Sequence, residues 1–84
     1  MAKVDLTKIK VTKVVDERAH ACPGPLIETR KAIASIPVGC VLEVWASDPT
    51  AAKEIPLWAK DVGHECLGVV AAGGYNRIFV VRKK

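Results

Sequence analysis

The sequence predicts an α/β fold, a two-layer sandwich with the element order β-α-β-α-β-β. The spacing of hydrophobic residues alternates between two residues, typical of strands, and about 3.6 residues, typical of helices. The first three predicted strands are separated by helices, whereas a short glycine-containing segment joins the last two. Two helices can cover only one face of the resulting four-stranded mixed sheet, so we expect the other face to carry no helix.

The first strand and the first helix are separated by a polar connection. Val11–Val15 is a short β-branched run and predicts the strand, and residues 16–21 form the connection. Helical spacing then extends over Pro23–Ile36. The positions expected to face the core are Leu26, Thr29, Ile33 and Ile36. Pro37 and Gly39 end this helix.

The second strand is predicted at Cys40–Ala46, where the side chains alternate between two faces. We expect Glu43 to mark the exposed face. On that parity the outward positions are Val41, Glu43 and Trp45, and the inward positions are Cys40, Leu42, Val44 and Ala46. Trp45 would then lie on the face without helices, where we expect it to pack beneath long side-chain stems.

The second helix opens with Asp48, a good N-cap residue, and spans Pro49 to about Val62. Pro56 is unfavourable inside a helix because it removes a backbone hydrogen bond. We therefore expect a kink there, or a helix that properly begins near Ile55. Gly63 is a suitable C-cap residue.

Two further strands complete the predicted sheet. Cys66–Ala71 and Arg77–Arg82 are short β-rich runs, and the segment Ala72–Asn76 between them contains two glycines. This arrangement predicts an antiparallel hairpin.

The charge distribution argues against a nucleic-acid-binding role. The net charge is +4, from 13 basic and 9 acidic residues. Residues 1–13 carry four lysines and one aspartate, and residues 77–84 carry four basic residues and no acid, so the middle of the chain has a net charge of −3. A nucleic-acid-binding module normally spreads its basic residues over one face. The basic termini fit solubility, or steering towards an acidic protein partner.

The length and hydropathy indicate one small domain, residues 1–84 with a core of about 11–82. The chain is too apolar for intrinsic disorder. No apolar stretch approaches the roughly 18 residues that span a bilayer, and the N-terminus has no signal-peptide pattern. We therefore expect a cytoplasmic protein without a membrane partner.

The three cysteines predict neither a disulfide framework nor a metal site. Cys22, Cys40 and Cys66 form no Cys-x-x-Cys pair, and no histidine stands at ligand spacing. We expect no metal and no cofactor. Cys40 shares the inward parity of the second strand, and Cys66 opens the third strand, so both are interpreted as structural.

Cys22 is the candidate reactive thiol because it directly precedes a proline-initiated helix. Pro23 and Pro25 fit the first turn, where backbone N–H groups have no intrahelical acceptor. The positive end of the helix dipole stabilises a thiolate, and the two prolines would present it rigidly. Further positive potential is available from Arg18, His20, Arg30 and Lys31. Position 25 is not a cysteine, so Cys22 has no resolving partner nearby, which favours a covalent carrier over an oxidoreductase.

The motif Cys-Pro-Gly-Pro-Leu at the first helix resembles that of the TusA (SirA-like) sulfur carrier family. The resemblance covers residues from about 11 to 84. Its matching positions are Cys22, Pro23, Pro25, Asp48, Pro49, Ile55, Pro56, Gly63, His64, Glu65, Phe79, Arg82 and Lys83. One departure is Ala19, where the family often has glycine three residues before the cysteine.

The resemblance implies a fold similar to the C-terminal domain of translation initiation factor three. It also implies that Cys22 carries sulfane sulfur as a persulfide or thiosulfonate. The donor would be a sulfurtransferase or a rhodanese or DsrE-like protein. An acceptor protein would take the sulfur on, in tRNA thiolation, molybdenum cofactor assembly or sulfur oxidation. Such a protein would be a sulfurtransferase-type covalent carrier rather than a multiple-turnover enzyme on small substrates. The alternative is a regulatory module that binds RNA or protein through the basic termini.

Overall fold

The computed structural model describes residues 10–19 and 24–84 and has the predicted element order. The elements are β1 (Lys13–Asp16), α1 (Gly24–Ser35), β2 (Val41–Ala46), α2 (Pro49–Asp61), β3 (Glu65–Ala72) and β4 (Tyr75–Val81). β1 starts two residues later than predicted, with Lys13 paired with Leu42, although the Thr12 amide still donates to the Val41 carbonyl at 2.9 Å. Neither helix in these two ranges is long and apolar enough to cross a membrane.

The four strands form one mixed sheet in the order β1-β2-β4-β3. β1 pairs with β2 in parallel, and β4 pairs in antiparallel fashion with both β2 and β3. The three strands that follow one another through helices are therefore all parallel, and β4 inserts between the last two of them. This confirms the predicted mixed α/β architecture.

Both helices pack on one face of the sheet and form the core with it. The core includes Ala32 and Ile33 of α1 and Ile36 directly after it, and Thr29 of α1 is also fully buried. The other members are Leu42, Val44, Ala46, Ala51, Ile55, Ala59, Ile78 and Val80. The predicted core positions of α1 are thus confirmed for Thr29, Ile33 and Ile36, while Leu26 packs against the core but is partly buried.

Helix α2 begins at Pro49, so the expectation of a helix starting near Ile55 is wrong. Asp48 caps it as predicted, since its carboxylate accepts a hydrogen bond from the Thr50 amide at 2.9 Å. The helix continues through Pro56 because Ala51, Ile55 and Ala59, spaced one turn apart, bury one face of it. That apolar packing offsets the missing backbone hydrogen bond.

The C-terminus of α2 is a Schellman motif. Val62 is the C-cap and Gly63 follows with φ +89°, a conformation that glycine adopts without strain. The His64 amide donates to the carbonyl of Ala59 at 2.8 Å, and the Gly63 amide donates to the carbonyl of Lys60 at 3.3 Å. The role predicted for Gly63 in ending the helix is confirmed.

The β3–β4 hairpin is tighter than predicted. Ala72 pairs with Tyr75, so the loop is only Gly73-Gly74 rather than Ala72–Asn76. Both glycines have positive φ, 28° and 92°, which a two-residue turn between right-twisted strands requires. A register shift between Cys66 and Gly68 marks a bulge near the start of β3.

Candidate functional site

The structure describes the two flanks of the predicted reactive segment but not its centre. His20, Cys22 and Pro23 lie outside the described residues. Pro25 lies in the first turn of α1, as predicted. The described flanks are the exit of β1 on one side and the N-terminus of α1 on the other.

Helix α1 follows the segment that carries Cys22 directly in the sequence. Its first residue, Gly24, is two positions after Cys22, and its first turn contains no acidic residue. Unsatisfied N–H groups at a helix start carry partial positive charge, which an acidic residue nearby would neutralise. The described part of this flank therefore favours an anion.

Arg30 and Lys31, two of the predicted supporting cations, are exposed on α1. The Lys31 side chain lies 4.0 Å from the Glu28 carboxylate, a loose surface ion pair. Together with Ile27, which is 45% exposed, the two cations line a shallow depression of about 360 Å³. This surface combines an apolar side chain with two positive charges.

Arg18, the third supporting cation, contacts side chains of the sheet, although its own side chain is 45% exposed. Its guanidinium forms a bidentate ion pair with the Asp16 carboxylate, with N···O distances of 2.9 and 2.8 Å. The same group lies 5.0 Å from the ring centres of both Trp45 and Tyr75. Ser47 Oγ donates to the Arg18 carbonyl. The hydrogen bonds that Arg18 donates to Asp16 raise the pKa of Arg18, which stays charged.

These contacts attach the segment that follows β1 to the C-terminal end of β2. The Glu17 amide also donates to the Trp45 carbonyl at 2.8 Å. Within residues 10–19, the last of these contacts is made by Arg18, four residues before Cys22. Trp45 packs beneath the long Arg18 side chain, which confirms its predicted role on the face without helices.

Glu43 is buried, which corrects the prediction that it marks an exposed face. Arg77 Nε donates to Glu43 Oε2 at 2.6 Å, and Trp45 Nε1 donates to the same oxygen. The Glu43 side chain is only 4% exposed, because Arg77 and Trp45 cover it. Burial acts to raise the pKa of Glu43, but these hydrogen bonds and the charge of Arg77 outweigh it and hold the pKa below its usual range.

Phe79 belongs to the same face. It pairs across the strands with Glu43, and the Arg77 guanidinium lies 5.4 Å from the centre of its ring. We call this set of Arg18, Glu43, Trp45, Tyr75, Arg77 and Phe79 the helix-free-face cluster. Sequence reasoning missed the ion pair within it, although Glu43 and Arg77 both occupy strand positions whose side chains point to that face.

The two other cysteines are packed against the core. Cys40 and Cys66 are both partly buried beside core residues. Cys66 Sγ donates to the Gly68 carbonyl at 3.8 Å. Burial raises the pKa of the Cys66 thiol, and the hydrogen bond to Gly68 offsets this only in part. The interpretation of both residues as structural agrees with these positions.

The basic C-terminus is largely occupied by contacts within the protein. Arg82 donates to the carbonyl of Ile36 at 2.6 Å and thereby satisfies the end of α1. Lys83 forms an ion pair with Glu65 at 3.2 Å, and its amide donates to Nδ1 of His64 at 3.1 Å. The pKa of His64 is lowered by burial and by the charges of Arg82 and Lys84.

The described residues contain no group of three or more histidine, cysteine or acidic side chains that could hold a metal ion. Near the described flanks, Arg18 forms an ion pair with Asp16, and Lys31 forms a loose one with Glu28.

Comparison with known proteins adds a family match. Residues 13–83 match the family model described as sulfurtransferase TusA. A protein of Archaeoglobus fulgidus, provisionally named a sulfur carrier protein, is 46% identical over 71 residues, which are 84% of this chain and 97% of that one. The sulfur carrier protein TusA of Pseudomonas entomophila is 35% identical over 70 residues, 83% of this chain and 86% of that one.

A solved structure supports the fold. The crystal structure of a SirA-like protein from Desulfitobacterium hafniense superimposes with a TM-score of 0.77, covering 87% of this chain and all of the other. The two sequences are 20% identical, so the similarity concerns the architecture alone.

Proposed function

Because the chain belongs to the TusA sulfurtransferase family, we propose that it is a sulfur carrier whose Cys22 thiolate accepts sulfane sulfur and passes it to an acceptor protein. The donor is a protein persulfide, held by a sulfurtransferase or a rhodanese or DsrE-like protein. Pro23 and Pro25 present the thiol. No metal or cofactor takes part in this proposal.

The proposed transfer is a thiol–persulfide exchange. The Cys22 thiolate attacks the outer sulfur of the donor persulfide, so that a new sulfur–sulfur bond forms at Cys22 while the donor's own bond breaks and its cysteine leaves as a thiolate. An acceptor thiolate then attacks the outer sulfur on Cys22 in the same way, and Cys22 leaves as a thiolate. Each step moves one sulfur atom without net oxidation. With tetrathionate as the donor, the Cys22 thiolate would instead attack an inner sulfur atom, so that Cys22 carries an S–SO₃ group, the thiosulfonate load, while thiosulfate leaves.

The observation that carries this assignment is the placement of the other two thiols. Cys40 and Cys66 both pack against the core, and burial raises the pKa of Cys66, which lowers its thiolate fraction at neutral pH. A carrier needs a thiol that two partner proteins can reach in turn. By elimination that role goes to Cys22, which precedes a helix start without an acidic residue.

The helix start supplies a reason for thiolate stability. A persulfide or thiolate beside it would interact favourably with the partial positive charge of the first turn. Arg30 and Lys31 are exposed on the same helix, and they would extend the positive surface towards an acidic partner.

The C-terminal contacts disfavour the alternative of an RNA- or protein-binding module that uses the basic termini. Arg82 is committed to the end of α1, and Lys83 to Glu65. Arg77 is committed to Glu43. Three of the four basic residues in 77–84 therefore already neutralise or satisfy groups of the protein itself.

Alkylation with limiting iodoacetamide near neutral pH, followed by peptide mapping, tests the choice of thiol. We expect Cys22 to be labelled well before Cys40 and Cys66. Equal labelling of all three cysteines in the folded protein would contradict the assignment.

Loading with sulfur tests the function itself. Incubation with a persulfide donor, followed by intact-mass measurement, should show one added sulfur atom that a reductant removes. The adduct should be lost in Cys22→Ser and kept in Cys40→Ser and Cys66→Ser, which are the matched controls. Absence of an adduct with every sulfane donor, or an adduct that survives in Cys22→Ser, would refute the carrier role.

A further inference from the structure

Strand β3 lies at the edge of the sheet and is nearly free of charge. Of its eight residues, Glu65–Ala72, only the first is charged, and the strand contains no proline. No described strand pairs with its outer side, because the sheet ends there. Val69 is 39% exposed and Ala71 is also exposed, although both side chains lie on the face that carries the helices. Helix α2 therefore leaves the outer side of β3 uncovered at these positions.

The opposite edge strand, β1, is built differently. It has four residues, and Lys13 and Asp16 at its two ends are charged. Lys13 Nζ donates to Ser35 Oγ at 3.1 Å, which ties that edge to the end of α1. Charges and short length are the usual protection of an edge strand against pairing with another chain. β3 is twice as long and carries no charge after Glu65, so beyond that residue its protection is limited to the bulge between Cys66 and Gly68.

The hairpin geometry determines which backbone groups of β3 are unpaired. The residues that flank a two-residue turn form a hydrogen-bonded pair, and such pairs alternate along an antiparallel ladder. Ala72 pairs with Tyr75 and Val70 pairs with Arg77, so these are the hydrogen-bonded pairs. The N–H and C=O groups of Val69 and Ala71 then point away from β4. These are the same residues whose side chains are exposed.

The free groups of this segment are complementary to those of an identical segment. If two β3 strands pair in antiparallel fashion about a two-fold axis at Val70, Val69 of each copy exchanges hydrogen bonds with Ala71 of the other. Gly68 then faces Ala72 of the other copy. No charged residue lies within Gly68–Ala72, so the pairing brings no like charges together. Glu65 lies outside the paired segment, where Lys83 neutralises it.

We propose that β3 is a self-association surface, at which a second copy of this chain pairs through Gly68–Ala72 to extend the sheet from four strands to eight. The bulge restricts the pairing to these five residues per copy. This contact is much smaller than a standard interface of about 1,600 Å², so the dimer is weak and reversible. The proposal is independent of the chemistry at Cys22.

The first experiment measures association directly. Sedimentation velocity and NMR line widths of the full chain, followed up to about 1 mM, should show the average mass rising with concentration towards that of a dimer. Ala71→Pro should abolish the rise, because it removes an N–H group that points away from β4 and therefore leaves the hairpin intact. Ala71→Lys, at the same exposed position, is a second variant that keeps the backbone unchanged and should likewise abolish the rise. Val14→Lys, on the opposite edge strand and 46% exposed in the parent, is the control and should dimerise like the parent.

The second experiment tests the register. In the proposed dimer the two Val70 residues face each other in a non-hydrogen-bonded pair, with α-carbons about 4.5 Å apart, which a disulfide can bridge. In a Cys22→Ser background, Val70→Cys should therefore form a disulfide-linked dimer under mild oxidation, several-fold faster than Val14→Cys in the same background.

Three results would overturn the proposal. One is a parent protein that remains monomeric up to about 1 mM. Another is equal cross-linking through residues 70 and 14, which would indicate random collision. The third is slow hydrogen exchange of the Val69 and Ala71 amides in a dilute, monomeric sample, because it would show that other residues of the same chain, such as 1–9, already cover this edge.

Discussion

Replacing Arg77 with alanine should destabilise the protein far more than an ordinary surface substitution. The change leaves the Glu43 carboxylate, which is 4% exposed, with its hydrogen bond from Trp45 but without a neutralising charge. Removing one partner of a buried ion pair costs about 3–5 kcal/mol. Since Arg77 is itself 28% exposed and water can approach the pair, we expect a value near the lower limit, about 3 kcal/mol.

That loss is large for a chain of this size. At about 0.05–0.15 kcal/mol per residue, 84 residues give a total stability of roughly 4–13 kcal/mol. A loss of about 3 kcal/mol corresponds to a fall in Tm of about 12–24 °C, at about 4–8 °C per kcal/mol. Urea denaturation followed by circular dichroism, with an unchanged m-value, would give the free energy of unfolding.

A double-mutant cycle separates the ion pair from the packing of Arg77 on Phe79. In a Glu43→Gln background no charge is left buried, so Arg77→Ala should cost only about 1 kcal/mol there, in the range of an ordinary hydrogen bond. The reasoning is wrong if Arg77→Ala costs less than about 1 kcal/mol in the parent, or if it costs the same in both backgrounds.

The pH dependence of this pair follows from the direction of the pKa shift. The pKa of Glu43 is lower in the folded protein than in the unfolded chain. The unfolded chain therefore takes up the proton first as the pH falls. The stabilisation is present above the unfolded pKa of about 4.3 and disappears as the pH falls through the folded value. Consequently, the stability difference between the parent and Glu43→Gln should shrink in acid.

Two further predictions concern His64 and Arg18. The pKa of His64 is lower in the folded protein than in the unfolded chain. The folding stability that neutral His64 contributes is therefore present above the unfolded pKa of about 6.5 and is lost as the pH falls below it. Protonation of Nδ1 removes the acceptor of the Lys83 amide, so hydrogen exchange of that amide, after correction for the intrinsic rate, should accelerate as the pH falls below about 6.5 in the parent but not in His64→Phe. Arg18→Lys should slow alkylation of Cys22 as much as Arg18→Ala does, because lysine retains the charge but loses the bidentate and stacking contacts. A lysine variant that reacts like the parent would show that charge alone matters.

The order of strands and helices was predictable from the sequence because its signals are local. Asp48 followed by Pro49, and Gly63 after the last helical turn, act within one turn of the residues they affect. The errors arose where distant segments decide the outcome. Glu43 is buried by Arg77, 34 residues away, and a lone glutamate in an alternating strand gives no sign of such a partner.

The hairpin error has a similar origin. The sequence predicts a loop over Ala72–Asn76 because this segment contains two glycines, which favour turns. In the folded protein Tyr75 lies beside Trp45, with ring centres 5.7 Å apart, and pairs with Ala72. The packing of this side chain on the helix-free face extends both strands up to the two glycines. Local propensity could not reveal that contact.

The candidate site shows the same division between local and tertiary information. A cysteine before two prolines and a helix start can be recognised from the sequence, but the charge it experiences depends on how each nearby cation is paired. Arg18 is neutralised by Asp16 at 2.8 Å, whereas Lys31 is only loosely paired with Glu28 at 4.0 Å. Exposed pairs of this loose kind contribute little. The positive potential on the described flanks therefore comes mainly from the first turn of α1 and from the exposed cations that follow it. The segment that follows β1 contributes less, because Arg18 is already paired with Asp16.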